Sequence, residues 1–322
     1  MDLDLLRAAL RTREPAIVRW HAEDTSCYRL FHGATEGMPG LAVDRYGPVL
    51  LVQTWRAPLD PGDLERIADV VGPDLVPVWN HRGKERGGSP APELDDPVGT
   101  ELGLRFDVRP RHRGIDPLLF LDLRAGRRRL RAEAAGKTVL NLFSYTGGSA
   151  VAALAGGAKE AWNVDFASSA LEIADANAKR NGVDAQQRNI EEDVYPVARQ
   201  LAGMPVRSRK PVPYLRLEPQ QFDIVVLDPP TWATSPFGAV DLVRDYPGVL
   251  KPALLATNPG GRLLVTNHVS TVDRDEWHAV IRRTAEKAGR PLAALEPIAP
   301  EEDFPSPDGR FPLKIAWLTA AG

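Results

Sequence analysis

Apolar positions in the first third of the chain fall in short runs: YRLF (28–31), GLAVDRY (40–46), VLLVQTW (49–55), LVPVW (75–79) and LRFDVRP (104–110). Runs of this length, rich in β-branched and aromatic residues, predict strands. One helical pattern interrupts them, DPGDLERIADVVG (60–72), with Asp60 or Asp63 as candidate N-cap. Ahead of the strands, MDLDLLRAALRTR alternates acidic, apolar and basic positions and predicts a surface helix, without the long apolar stretch of a signal peptide. The segment RGKERGGSPAPELDDP (82–97) predicts an exposed loop. Residues 1–25 therefore read as a helix and lead-in, and 26–115 as a small α+β domain that positions substrate.

From about residue 116 the pattern alternates. Apolar strands are expected at VLNLF (139–143), AWNVD (161–165), FDIVVLD (222–228), GRLLVTN (261–267) and LKIAWLTAA (313–321). Between them lie helical patterns: AVAALA closed by Gly156-Gly157, SSALEIADANAKRNG (168–182), DLVRDYPGVLKPALL (241–255) and DRDEWHAVIRRTAEKAG (273–289). Strand–helix alternation with strands apolar on both faces predicts an α/β domain over 116–322, built on a doubly wound, mostly parallel, Rossmann-like sheet.

Composition narrows the class. With 43 % hydrophobic and 26 % charged residues among 322, the chain reads as globular. No run of 18 apolar residues exists, so no membrane span is expected. The single cysteine, Cys27, excludes a disulfide framework and a cysteine metal cluster and fits the cytoplasm. His21, His32, His81, His112 and His278 show no ligand spacing, so no metal is expected. Net charge is −3 and the pI about 6.1, against whole-surface nucleic-acid binding. Nine arginines nevertheless crowd Arg109–Arg131 and the residues just before it, from Arg105 on. They are either a local RNA-binding face or an ordinary solvated one.

The candidate chemistry sits at predicted strand ends. In VVLDPPTW (225–232) the prolines stop a strand and stiffen its exit, leaving Asp228 at the tip. Asn141–Gly148 forms a strand-to-helix turn with a glycine pair. Asp165 ends the next strand, 18 residues after Gly147, where a carboxylate can accept both ribose hydroxyls of an adenosine. Asp193, in EEDVY, lies at the depth of an adenine amine. No G-x-G-x-x-G is present, which disfavours a dinucleotide.

Together LNLFSYTGG, NVD, EEDVY, FDIVVLDPPTW and WLTAA resemble the bacterial large-subunit rRNA methyltransferases of the I and K/L type, S-adenosylmethionine (SAM) enzymes of class I. CYRLFHGATEGMPGLAVDRYGPVLLVQ (27–53) is similar to the small β-rich domain of that family, and LLFLDLR (118–124) to its F-Y-L-D-Q-R segment, here with Leu123 in place of glutamine. The resemblance implies a seven-stranded methyltransferase sheet. It implies SAM contacts from Phe120, Asp122, Arg124, Asn141, Phe143, Ser144, Tyr145, Thr146, Gly147, Asp165, Phe166, Asp193 and Asp228. It implies a catalytic tip of Asp228, Pro229, Pro230 and Asn267. Substrate is expected at Thr231, Trp232, Arg244, Tyr246 and His268, with ribosomal RNA as partner; a homodimer is compatible with it. His268 reads as a base or donor to the target, or as a polar strand-tip residue. Arg244 and Tyr246 read as phosphate and base contacts, or as a helix-surface pair.

Cytosine-C5 members carry a cysteine after the strand that follows D-P-P; LLVTNHVS (263–270) has none. C5 needs covalent activation by a thiolate, whereas guanine N7 attacks with a free lone pair, so N7 is favoured. The competing functions are methylation of a small molecule or protein on the same core, and an RNA-binding non-enzyme that keeps the fold. An insert, about 203–219, precedes the D-P-P strand.

Overall fold

The computed structural model describes all 322 residues, which divide into two compact units. Unit 1 comprises Met1–Arg124 with Pro300–Gly309, and unit 2 comprises Ala125–Ala299 with Arg310–Gly322.

In unit 1, α1 (Leu3–Ala22) is followed by β1 (Cys27–His32), β2 (Leu41–Tyr46), β3 (Val49–Thr54), α2 (Asp63–Val71), β4 (Val76–His81), β5 (Gly87–Gly88), β6 (Val98–Glu101) and β7 (Leu104–Asp107). Strands β1 to β5 form one sheet in sequence order, antiparallel except for β3–β4, which α2 connects; β6 and β7 form a separate hairpin. The expected lead-in at 1–25 is instead part of this unit. Leu6, Ala9, Ala16 and Trp20 recur on one helical face and pack with Tyr28, Phe31, Leu50 and Ile67. The expected boundary at 115 falls at Arg124, and the chain later returns residues 300–309 to the unit.

Unit 2 contains α3, whose helix (Arg124–Glu133) starts on the last residue of unit 1, then β8 (Thr138–Leu142), α4 (Gly148–Ala155), β9 (Glu160–Asp165), α5 (Ser168–Arg180), β10 (Gln187–Glu191), α6 (Val194–Leu201) and β11 (Phe222–Leu227). It continues with β12 (Trp232–Ser235), β13 (Gly238–Asp241), α7 (Tyr246–Leu255), β14 (Thr257–Asn267), α8 (Arg274–Lys287), β15 (Leu292–Ile298) and β16 (Lys314–Ala320). Seven strands make the sheet β10-β9-β8-β11-β14-β16-β15, parallel except for β16 against its two neighbours. Ile224–Leu227 and Leu263–Val265 are at most 1 % exposed, as expected of central strands covered on both faces. β12 and β13 form a hairpin directly after the D-P-P turn. The insert packs on that hairpin: Arg209 N–H donates to the Pro236 carbonyl at 2.9 Å, and the Tyr214 ring meets Phe237 edge-on at 5.5 Å. No helix is long and apolar enough to cross a membrane.

Candidate active site

The strand order reverses between β8 and β11, and a ligand in an open α/β sheet lies outside the carboxyl ends of strands at such a point. The turn after β8 is unusual backbone. Phe143, Tyr145 and Gly147 hold φ of 58°, 49° and 75°. Left-handed conformations cost a non-glycine residue on the order of 1–3 kcal/mol, so their surroundings must impose them. Ser144 N–H donates to the Val164 carbonyl (3.1 Å), Gly147 N–H to the Ser144 carbonyl (2.9 Å), and Asn177 Nδ2 of α5 to the Thr146 carbonyl (3.1 Å). Beneath the turn, three asparagines lie opposite one another across β8, β9 and β10. Asn141 Nδ2 donates to Asn163 Oδ1 (2.8 Å), and Asn163 Nδ2 to Asn189 Oδ1 (3.0 Å).

Asp165 ties the second tip to the first. Its Oδ2 accepts Tyr145 N–H (2.9 Å) and its Oδ1 accepts Ala167 N–H (3.0 Å). Burial raises its carboxyl above the ordinary value, against the pull of those amides. Phe166, next in the chain, is 72 % exposed. At the third tip Asp193 caps α6, Oδ1 accepting Tyr195 N–H at 2.8 Å.

At the fourth tip Asp228 Oδ1 accepts the Thr266 hydroxyl (2.5 Å). Burial raises the Asp228 carboxyl, opposed by that hydrogen bond and by the charges of His268 and Arg127. Burial and the Lys314 ammonium lower the His268 imidazole, against the pull of Asp228. Thr231 Oγ1 and His268 Nε2 are 2.5 Å apart, and Trp232 stands 65 % exposed.

Three features of this crevice suit a nucleoside carrying an amino-acid tail. Ser144 Oγ is buried without a hydrogen-bond partner. A Cβ at Gly147 would lie 2.7 Å from the Ala174 Cβ, so backbone approach there needs glycine. Asp165 stands at the second strand tip, where ribose hydroxyls find an acceptor.

A family model described as S-adenosylmethionine-dependent methyltransferase matches residues 87–317. A ribosomal RNA large subunit methyltransferase I from Aeromonas salmonicida is 31 % identical over 325 residues, 95 % of this chain and 77 % of the relative. Its namesake from Erwinia tasmaniensis is 29 % identical over 330 residues, with the same shares. The chain belongs to the S-adenosylmethionine-dependent methyltransferases. A solved SAM-dependent methyltransferase from Agrobacterium tumefaciens superposes with a TM-score of 0.64, covering 88 % of this chain and 88 % of its own at 22 % identity, which speaks for the fold.

Within this methyltransferase, several expected residues have structural partners. Asn141 is buried and held in the asparagine ladder. Asn267 is fully buried; its Nδ2 donates to the Leu242 carbonyl (3.1 Å) and its Oδ1 accepts Val269 N–H (3.0 Å), so it braces the loop beside Asp228. Pro229 is buried and Pro230 half-buried. Arg244 is exposed, whereas Tyr246 is buried, its hydroxyl donating to the Thr266 carbonyl (3.0 Å). Phe120 and Asp122 lie in unit 1, Phe120 being 42 % exposed. Arg124, expected at the cofactor, is fully buried in that unit: it donates to Glu301 Oε2 and the Cys27 carbonyl, and pairs with Asp303, each at 2.7 Å.

The arginine run is not a free cationic stripe. Arg109 turns back on Asp107 (2.5 Å) and Arg111 on Asn80 (2.9 Å). Arg127 is 3 % exposed, and Arg129 pairs with Glu133 (3.0 Å) while covering the Trp317 ring. Sequence reasoning missed Asn163, Asn177, Asn189 and Thr266, whose partners lie on other strands or in the turns that follow them.

Gly147→Val is expected to reduce thermal stability by about 1–3 kcal/mol, from strained backbone and overpacking against Ala174. SAM affinity should fall as well. Thermal melts with and without SAM check this; a variant melting and binding like the parent would remove Gly147 from the cradle.

Proposed function

We propose that the protein methylates a base of large-subunit ribosomal RNA in the cytoplasm, at guanine N7 ahead of cytosine C5. The likeness to large-subunit ribosomal RNA methyltransferases supports the RNA. The observation that carries the choice of atom is the position of the one cysteine. Cys27 is fully buried in β1 of unit 1, its thiol pushed up to about 12 mainly by burial. A thiol so held supplies no thiolate at neutral pH. The strand tips around Asp228 present Thr231 and His268 instead.

Bound SAM supplies a methyl group activated on sulfur. The residues fitted to hold it are Ser144 through Gly147, with Asp165 for the ribose hydroxyls, Phe166 for the adenine face and Asp193 for its edge. Guanine N7 needs no proton removed, only orientation and a counter-charge for the cationic ring that forms. The Asp228 carboxylate is that counter-charge. The Thr231 hydroxyl and the His268 imidazole stand where they can hold the guanine edge. The exposed Trp232 indole is suited to stack on an extruded base, worth about 1–3 kcal/mol.

The test is transfer from labelled SAM to large-subunit rRNA, followed by mass mapping of nucleosides. The expected product is 7-methylguanosine, and 5-methylcytidine would overturn the choice of atom. Label in protein or metabolites but not in RNA would select the competing substrates. Cys27→Ala is expected to transfer within about twofold of the parental rate, since no covalent step uses the thiol. A folded Cys27→Ala without transfer would sink the non-covalent route.

A further inference from the structure

A groove of about 620 Å³ runs between α7 and α8 in unit 2. Its floor is apolar, with Tyr246, Trp277 and Val280, the Tyr246 ring meeting Trp277 edge-on at 5.6 Å. Its rim carries Arg244, Lys251, Arg283 and Lys287 against one carboxylate, Glu276. All five are exposed, and none of the four cations is in an ion pair. Four positive charges less one negative leave an excess of three, on a chain whose net charge is −3.

The groove is wired to the acceptor tip. Tyr246 on its floor donates to the Thr266 carbonyl, and the Thr266 hydroxyl donates to Asp228. Asn267 Nδ2 holds the carbonyl of Leu242, which lines the groove wall. Only Thr266 stands between the groove floor and the Asp228 carboxylate.

We infer that this groove seats the RNA strand flanking the target base, with phosphates on the four rim cations and a neighbouring base or ribose on the apolar floor. Free phosphate would need donors converging on one point, whereas these cations are spread along a hydrophobic trough. Unpaired cations beside an apolar surface match the alternation of charge and flat ring along a single strand. The inference rests on the RNA reading above and adds to it the surface that grips the strand.

The test is the triple variant Lys251→Glu, Arg283→Glu, Lys287→Glu, whose side chains are all exposed. Calorimetry with SAM and steady-state methylation of an rRNA fragment at several salt concentrations are measured on variant and parent. SAM affinity and kcat should stay within about twofold, while KM for RNA rises on the order of tenfold. The slope of log KM against log salt should flatten by about 2, at roughly 0.7 for each single-strand phosphate that the variant no longer neutralises. A merely structural role would not move that slope. Unchanged KM and slope in an active variant overturn the groove and leave the RNA reading standing. A parent enzyme that methylates no RNA overturns the reading and the groove with it. Weakened binding to a ribosomal protein, with KM for naked RNA unchanged, assigns the trough to an acidic protein surface and overturns the strand.

Discussion

Asp228→Asn is expected to lower kcat on the order of 10²–10³-fold while SAM affinity stays within about threefold of the parent. The substitution keeps shape and one acceptor oxygen, so the Thr266 hydrogen bond can persist. In the proposed N7 reaction, what it removes is the negative charge that faces the developing cationic base. Preorganised charge in a water-poor crevice is worth more than in solution, which sets the size of the effect. The proposed role also fixes a pH dependence. Burial raises the Asp228 carboxyl, so the acid limb of kcat should lie above the ordinary aspartate value of about 3.9. Activity should fall as pH drops through that limb, and Asp228→Asn should lack it.

Stability runs in the opposite sense. A carboxyl with a raised folded value holds its proton more tightly in the native state than in the unfolded chain. Its contribution is therefore present below the unfolded value and lost as pH rises through the folded one. At pH 8 Asp228→Asn should melt at or above the parental temperature. A variant that still turns over, or that melts well below the parent, would remove Asp228 from the chemistry and leave it a structural carboxylate.

How much of this was legible in the sequence depends on where the information sits. The central strands announce themselves, because most of β8 and β11 and the second half of β14 are buried on both faces and so carry apolar runs such as Ile224–Leu227 and Leu263–Val265. The edge strands do not. β10 reads QRNIE, with four of five side chains partly or fully exposed, and β15 reads LAALEPI with none buried. Edge positions lack the burial that writes a hydrophobic run, so both escape periodicity. The short hairpin β12–β13 carries mostly exposed or half-buried side chains and escapes for the same reason.

The same logic divides the site. Asp165, Asp228 and Gly147 are visible because a strand end followed by an acid or a glycine is a local pattern. The asparagine ladder and Thr266 are not, because only strand register brings partners 20 to 40 positions apart into contact. The arginine run shows the converse failure. Charge alone does not say which side of a helix faces water. In α3 Arg124 and Arg127, three apart, share the buried side, while Arg128 falls on the exposed one.

Asp165→Ala is expected to weaken SAM binding on the order of 10- to 100-fold while leaving the protein folded. That magnitude takes one or two charge-assisted hydrogen bonds to ribose hydroxyls at about 1.5–3 kcal/mol each, in the lower part of that range because water can replace part of the loss. A second loss is built into the turn. Tyr145 N–H and Ala167 N–H both end on this carboxylate, at 2.9 and 3.0 Å. Without it the left-handed Tyr145 loses its amide's bond to this carboxylate, and the first two strand tips lose one of the links between them. Asp165→Asn separates the contributions: its remaining oxygen can keep one backbone amide, but the side chain no longer offers two anionic acceptors. Calorimetry should rank affinity as parent, then Asn, then Ala, with the thermal midpoint of the Asn variant nearer the parent than that of Ala. Equal SAM affinity in all three proteins would mean that the ribose is held elsewhere and that Asp165 serves only to fasten the two turns.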